Sequence, residues 1–218
     1  PTVTFIATDG SSYTYPIASS AGYKAGDLVQ VTVSGNTAKV SKLSTGSVTG
    51  RVSADGSSLN GTAFADDVQI LDVYQSSALR IYPERLAGVS LTDGDVKYYS
   101  KNAAGEIDRL ILNDVTGDLF QYGILTGIQD YSAGMSINVI YTYLIGGQTV
   151  TYPSQGTSFA VSSTGPVQIR GTGTVEKMTS LTSVRLTSVS GNTARSNSQT
   201  YTLADNAAVY TFVDGKYY

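Results

Sequence analysis

Seventeen carboxylates and sixteen tyrosines are the groups with chemistry to offer in this 218-residue chain, which contains no histidine and no cysteine. A pair of carboxyls about 5 to 10 Å apart is enough to hydrolyse a glycosidic bond. Three sets lie close in sequence: Asp66, Asp67 and Asp72; Asp93 and Asp95; Asp114 and Asp118. Most of them flank glycine or stand at strand ends, where Asp accepts turn hydrogen bonds, so turn duty outweighs catalysis. Asp66 and Asp67 would also face opposite sides of a strand. Oxygen-rich clusters suit calcium. Asp93, Asp95 and Asp118 are weak candidates for it, because their spacing falls short of a D-x-D-x-D-G loop. No metal and no cofactor is expected. Without histidine, the commonest general base, the Ser-His-Asp triad and the usual zinc ligands are all missing.

Tyrosine packs its ring and exposes its hydroxyl, so it suits both half-buried strands and platforms on which sugars stack. Tyr98 and Tyr99 are adjacent, and on a strand one faces in and the other out. Tyr99 with Tyr122 or Tyr131 can form an exposed aromatic patch for a glycan or a protein; ordinary cross-strand packing is the competing reading. The lack of tryptophan counts against a dedicated carbohydrate-binding module.

Charged residues make up 14% of the chain, against roughly 25% in an average soluble protein. Solubility therefore rests on hydroxyls more than on charge. With 14 Lys and Arg against 17 Asp and Glu, the chain lacks the basic field that a phosphate backbone requires, so nucleic acid is not an expected partner. No run of 18 apolar residues predicts a membrane span. Pro1 follows neither an initiator Met nor a signal peptide, which reads as an excised or processed piece.

The elements that must position these groups are strands. Short alternating runs bounded by Gly, Asn, Asp and Ser recur roughly every ten residues, and 3.6-residue periodicity is almost missing. The hexapeptide VSGNTA occurs at 33–38 and again at 189–194, and its Gly-Asn pairs predict hairpin tips at Gly35-Asn36 and Gly191-Asn192. A longer hairpin is predicted over 94–112, turning at 102–105. Pro83 is placed to open one helical turn.

Sliding the sequence against itself aligns it best at an offset near 138. There Val29-Gln30-Val31 meets Val167-Gln168-Ile169, Lys39 to Leu43 meets Lys177 to Leu181, and Thr4-Phe5-Ile6 meets Thr142-Tyr143-Leu144. Within one residue of it, Tyr15-Pro16 meets Tyr152-Pro153 and Ala65-Asp66 meets Ala204-Asp205. At this offset the first VSGNTA faces residues 171–176 and shares only the turn glycine, so the two hexapeptides are independent solutions to one turn. The expected fold is all-β: two or three small antiparallel barrel or sandwich units in tandem, with this repeat. The expected units are 1–45, 46–127 and 128–218, with 1–45 the tail of a repeat that residues 186–218 are expected to complete.

The strings NGTAFADDVQILD, GDVKYYSKNAAGEIDRLIL and DVTGD, within residues 46–127, resemble the repetitive β-regions that accompany S-layer homology modules in surface proteins of Gram-positive, mostly clostridial, bacteria. The anchoring modules themselves are not in this sequence. The resemblance implies an extracellular location at the bacterial cell surface, a structural, adhesive or display role, no catalytic residues, and as partners cell-wall or host glycans or neighbouring copies. A non-enzymatic spacer or contact module is the expected function, with a glycan-binding module using exposed Tyr as the alternative and a carboxylate glycoside hydrolase as the third.

Overall fold

The computed structural model describes residues 1–171 and 173–218 as an all-β chain of several small sheets, mostly antiparallel, one of them forming a half-barrel. It divides into two compact units. One comprises Pro1–Leu119 with Leu186–Leu203, the other Phe120–Arg185 with Ala204–Tyr218. The position expected as a boundary, 127/128, falls inside a strand that starts at Gln121. The division at Leu119 instead follows the turn around Gly117, where the chain leaves the first unit's sheet.

In the first unit, β1 (Thr2–Ile6) pairs with β2 (Ser12–Pro16), and β3 (Val29–Ser34) with β4 (Thr37–Lys42), as separate antiparallel hairpins. Ser34 opposes Thr37 across Gly35-Asn36, and only the glycine takes positive φ (57°), the pattern of a type II′ turn. The strands β5 (Gly50–Arg51) and β6 (Ser58–Leu59) are short and lead into β7 (Thr62–Tyr74). After β8 (Ser77–Ile81), Pro83–Leu86 forms one 3₁₀ turn with the proline at its start, as predicted, and β9 (Ser90–Leu91) returns to pair with β5. The long hairpin is β10 (Val96–Lys101) with β11 (Ile107–Asn113).

The main sheet runs β10-β11-β7-β6, with β8 also on β7. The ladder between β11 and β7 is parallel, which departs from the purely antiparallel arrangement expected. A parallel neighbour needs a long crossover, and β8, the 3₁₀ turn, β9 and β10 supply it. Beneath this sheet, Ile70, Leu86, Leu91, Val96, Ile107, Leu110 and Leu112 form one buried cluster.

In the second unit, β12 (Gln121–Asp130), β13 (Asn138–Ile145), β14 (Gln148–Gln155), β15 (Gly165–Arg170) and β16 (Lys177–Ser180) make a sheet in the order β14-β13-β12-β15-β16, antiparallel throughout. Alternate residues of β13 (Val139, Tyr141, Tyr143) and of β15 (Val167, Ile169) enter its core with Leu125 and Met178.

The first unit also holds β17 (Ser188–Ser190), β18 (Thr193–Arg195) and β19 (Thr200–Thr202), and the second holds β20 (Phe212–Val213) paired with β21 (Lys216–Tyr217). The β17–β18 turn repeats the β3–β4 turn: Val189 opposes Ala194 as Val33 opposes Ala38, and Gly191 takes φ 55°. Among the described residues no ladder joins 1–45 to 186–218, so the completion expected between these segments is not made by strand pairing within the chain. Of the alignment partner of the first VSGNTA, Thr172 lies outside the described residues.

Candidate functional site

The carboxylate sets do not converge on a cleft. Asp66 and Asp67 are exposed, where the β7–β11 ladder steps from Phe64 to Gln69 on β7 while β11 advances only from Ile107 to Arg109. Asp72, on the same strand, is fully buried. Its Oδ1 accepts the Val115 backbone N–H at 3.0 Å, and its Oδ2 accepts the Thr116 N–H at 2.8 Å and the Thr116 hydroxyl at 2.6 Å. Asp118 is held side-on by Arg85, whose Nε and Nη2 donate to its two oxygens at 2.8 Å each. Arg85 Nη2 also donates to the carbonyls of Thr116 and Leu203, and Asn192 Nδ2 donates to the Glu84 carbonyl. These bonds fasten the 114–118 loop and the β17–β19 segment to the 3₁₀ turn. They are structural contacts, with both carboxylates consumed by donors.

The same fate meets the calcium candidates. Asp95 Oδ2 accepts from the N–H and the hydroxyl of Thr92, closing the turn before β10. Asp118 is engaged by Arg85, and Asp93 is in the turn between β9 and β10. Among the described residues no group of three or more metal-ligating side chains is assembled. Three exposed carboxyls, Asp9, Asp55 and Asp130, are lowered from their ordinary range. Ser53, Ser57 and the Ser57 backbone N–H hold Asp55 at about 2; the Ser11 N–H and the Tyr13 hydroxyl lower Asp9; the Ser132 side chain and N–H lower Asp130. A general acid needs the opposite shift.

Asp55 provides a direct check of this turn chemistry. Its folded-state pKa lies below the ordinary 3.8, so the bonds to Ser53 and Ser57 favour the folded loop fully above that value. That preference is lost as pH falls towards about 2. The Asp55 carboxyl carbon, followed by NMR, is expected to titrate with a midpoint of about 2. A midpoint at the ordinary value would show that the serine donors do not engage it.

Of the candidate tyrosines, Tyr99 belongs to the first unit and Tyr122 and Tyr131 to the second. Tyr99 is half-buried and packs on the first unit's core, while Tyr98 turns to the opposite face, into a groove. The cause is a bulge between Val96 and Tyr98, which shifts the alternation by one residue and brings Tyr99 to the core face. Tyr122 is half-buried near the start of β12, and Tyr131 is 58% exposed just beyond its end. Nine residues of strand put these two roughly 30 Å apart. The sequence reading does not single out an aromatic cluster in the first unit: Phe5 on β1 stacks against Tyr13 and Tyr15 on β2, with ring centroids at 5.7 and 6.3 Å and planes tilted by 26° and 20°. The signal was there, since Tyr13 and Tyr15 alternate on one strand and Phe5 opposes Tyr13 across the hairpin.

Phe5 borders a groove of about 1160 Å³ in the first unit. One wall is β1 (Thr2 to Ile6), another β3 (Val29, Gln30, Val31), and the floor carries Leu71, Val73, Tyr98 and Ile111 of the main sheet. Lys24, Asp27, Lys97 and Arg109 are its charged groups. No pair of acidic side chains faces across it, so the groove offers apolar surface and strand edges. No family model matches the chain, and no curated protein and no solved structure gives a significant match.

Proposed function

We propose that this chain is a non-enzymatic, extracellular structural and adhesive β-repeat segment of a bacterial cell-surface protein, built as tandem units and acting as a spacer and contact module. One observation carries the reading: the strand ladders repeat with the sequence. Shifting both partners of Val29↔Lys42 by 138 gives Val167↔Ser180, so the β3–β4 hairpin and the β15–β16 hairpin share one register. With one residue fewer between the strands, Thr2↔Pro16 becomes Ile140↔Pro153, an offset of 138 on the first strand and 137 on the second, and the Tyr-Pro pair keeps its place on β2 and β14. At 139, the offset that aligns Ala65-Asp66 with Ala204-Asp205, Val73↔Ala78 becomes Phe212↔Tyr217. Compositional likeness among Val- and Thr-rich strands does not conserve register, because a slip of one residue would reverse every side chain.

On this reading the period holds a β5–β11 half and a β12–β16 half. Residues 1–45 then repeat most of the second half and 186–218 the start of the first. A tandem array of small laddered sheets supplies rigidity and reach, and weak contacts repeated along it add through multivalency. Shaving intact bacterial cells that produce the protein with a protease is expected to release peptides of this chain. Its recovery only from the cytosol would overturn the assignment, as would hydrolysis of a glycoside panel that Asp substitutions abolish. The glycan-binding alternative is favoured by the Phe5, Tyr13 and Tyr15 cluster, since Tyr13 keeps part of its ring exposed.

A further inference from the structure

The repeat and the compact units divide the chain at different places. Residues 1–45 repeat the end of a period, whereas β7 and β8 belong to the start of the next, and the first unit holds both. The second unit holds their counterparts, 139–183 and 204–218, so it too joins the end of one period to the start of the following one. The second copy of the β7–β8 hairpin is recognisable by its turn. At the offset of 139, Gln75 meets Asp214, and both take a positive φ, 51° and 49°, that residues with a Cβ seldom adopt.

In each unit the hairpins that end a period touch the hairpin that opens the next. In the first, the Thr8 hydroxyl donates to Gln69 Oε1 at 2.6 Å and Arg80 Nη1 donates to the Asp9 carbonyl at 3.4 Å. The backbones come close as well: a Cβ on Gly10 would lie 2.7 Å from the Arg80 Cβ, and one on Gly26 would lie 3.2 Å from the Gln75 carbonyl oxygen. In the second, the Tyr210 hydroxyl donates to the Leu144 carbonyl at 3.3 Å. Leu144 and Tyr210 stand at the positions of Ile6 and Leu71, which both line the groove of the first unit. Both copies thus bring the same two places of the period to one site, with different side chains.

We propose that the hairpins ending each period form a receiving surface whose partner is the β7–β8 hairpin of the next period, so that successive repeats interlock. This rests on the repeat reading above. In both units the partner is seated on that surface and comes from the same polypeptide, after the intervening stretches 46–64 and 184–203. Gly10 and Gly26 set how closely the surface approaches its partner, since a side chain at either place would hold the two apart. A packed joint of this kind takes the place of a flexible linker, and it couples neighbours as nearest-neighbour contacts do in repeat proteins.

The test uses the full 218-residue chain. Gln69→Ala is expected to speed hydrogen exchange at the tip of the β1–β2 hairpin roughly threefold to tenfold, the loss of one hydrogen bond, and to leave the β7–β11 ladder unchanged. Tyr210→Phe is expected to do the same at the tip of the β13–β14 hairpin and to leave the β12–β15 ladder unchanged. Tips that do not respond, or a speed-up shared by the whole unit, would overturn the proposal. A response in one unit alone would do so too, because the junction would then not repeat. The chain has no cysteine, so Thr8→Cys with Gln69→Cys supplies a single pair of thiols for a short cross-linker. Joining within one chain at every protein concentration is expected; joined dimers would make a second copy the partner and overturn the interlock. Failure of these tests with the chain recovered from the cell surface removes the interlock alone; success with a chain recovered only from the cytosol leaves the interlock and removes the surface assignment.

Discussion

Asp72→Ala is expected to destabilise the first unit by about 4 kcal/mol, measured as the shift of its urea unfolding curve. The substitution leaves the Val115 N–H, the Thr116 N–H and the Thr116 hydroxyl in a buried place without the carboxylate they donate to. Hydrogen bonds to a charged acceptor contribute about 1.5 to 3 kcal/mol each, and stranded donors keep most of their desolvation cost. A loss of that size is a large part of the roughly 5 to 15 kcal/mol that holds a domain together. Asp72→Asn preserves the shape and one acceptor oxygen but turns an NH₂ towards the donors, and is expected to cost about 2 kcal/mol. A loss below about 1 kcal/mol for the Ala variant would mean that the 114–118 loop is held by other contacts.

Tyr141→Ala is expected to cost the second unit about 4 kcal/mol, from the ring volume removed and the cavity left behind. Tyr141 is 1% exposed, its ring lies 5.0 Å from that of Phe159, and its hydroxyl oxygen accepts the Phe159 backbone N–H at 2.9 Å. Tyr141→Phe separates the two contributions. It keeps the ring and removes only the acceptor, so a loss of about 1 to 2 kcal/mol is expected. If Phe cost as much as Ala, the hydrogen bond to the 156–161 segment would be the dominant contribution, and packing would be secondary.

The local features were legible because their causes are local. Gly35-Asn36 and Gly191-Asn192 make their turns through a backbone angle that glycine permits, and Pro83 sits where a missing N–H is harmless. The pairing of β7 with β11 was not legible, because strands about forty residues apart in sequence share no local signal of which way they run. Which of Tyr98 and Tyr99 faces the core is not legible, since alternation counts only until a bulge intervenes, and nothing in the Asp95-Val96-Lys97 string announces one. Asp72 stood in view: a carboxylate inside the apolar run Ile70-Leu71-Asp72-Val73 must be bonded or destabilising. What the sequence could not supply was its partner at Thr116. The Phe5, Tyr13 and Tyr15 cluster is hidden for a similar reason, as these residues become a group only when the β1–β2 register is known.

The parallel ladder between β7 and β11 bears on how the first unit folds. Leu110 meets Ile70 only after about forty residues have been looped out, whereas Ser34 meets Thr37 across two. Closing a loop twenty times longer costs about 2.7 kcal/mol more chain entropy, so the hairpins form early and the β7–β11 contact late. Until then the edge of β7 is open to any β11-like strand within reach. The speed of this single closure sets how long that edge stays exposed to strand exchange during folding.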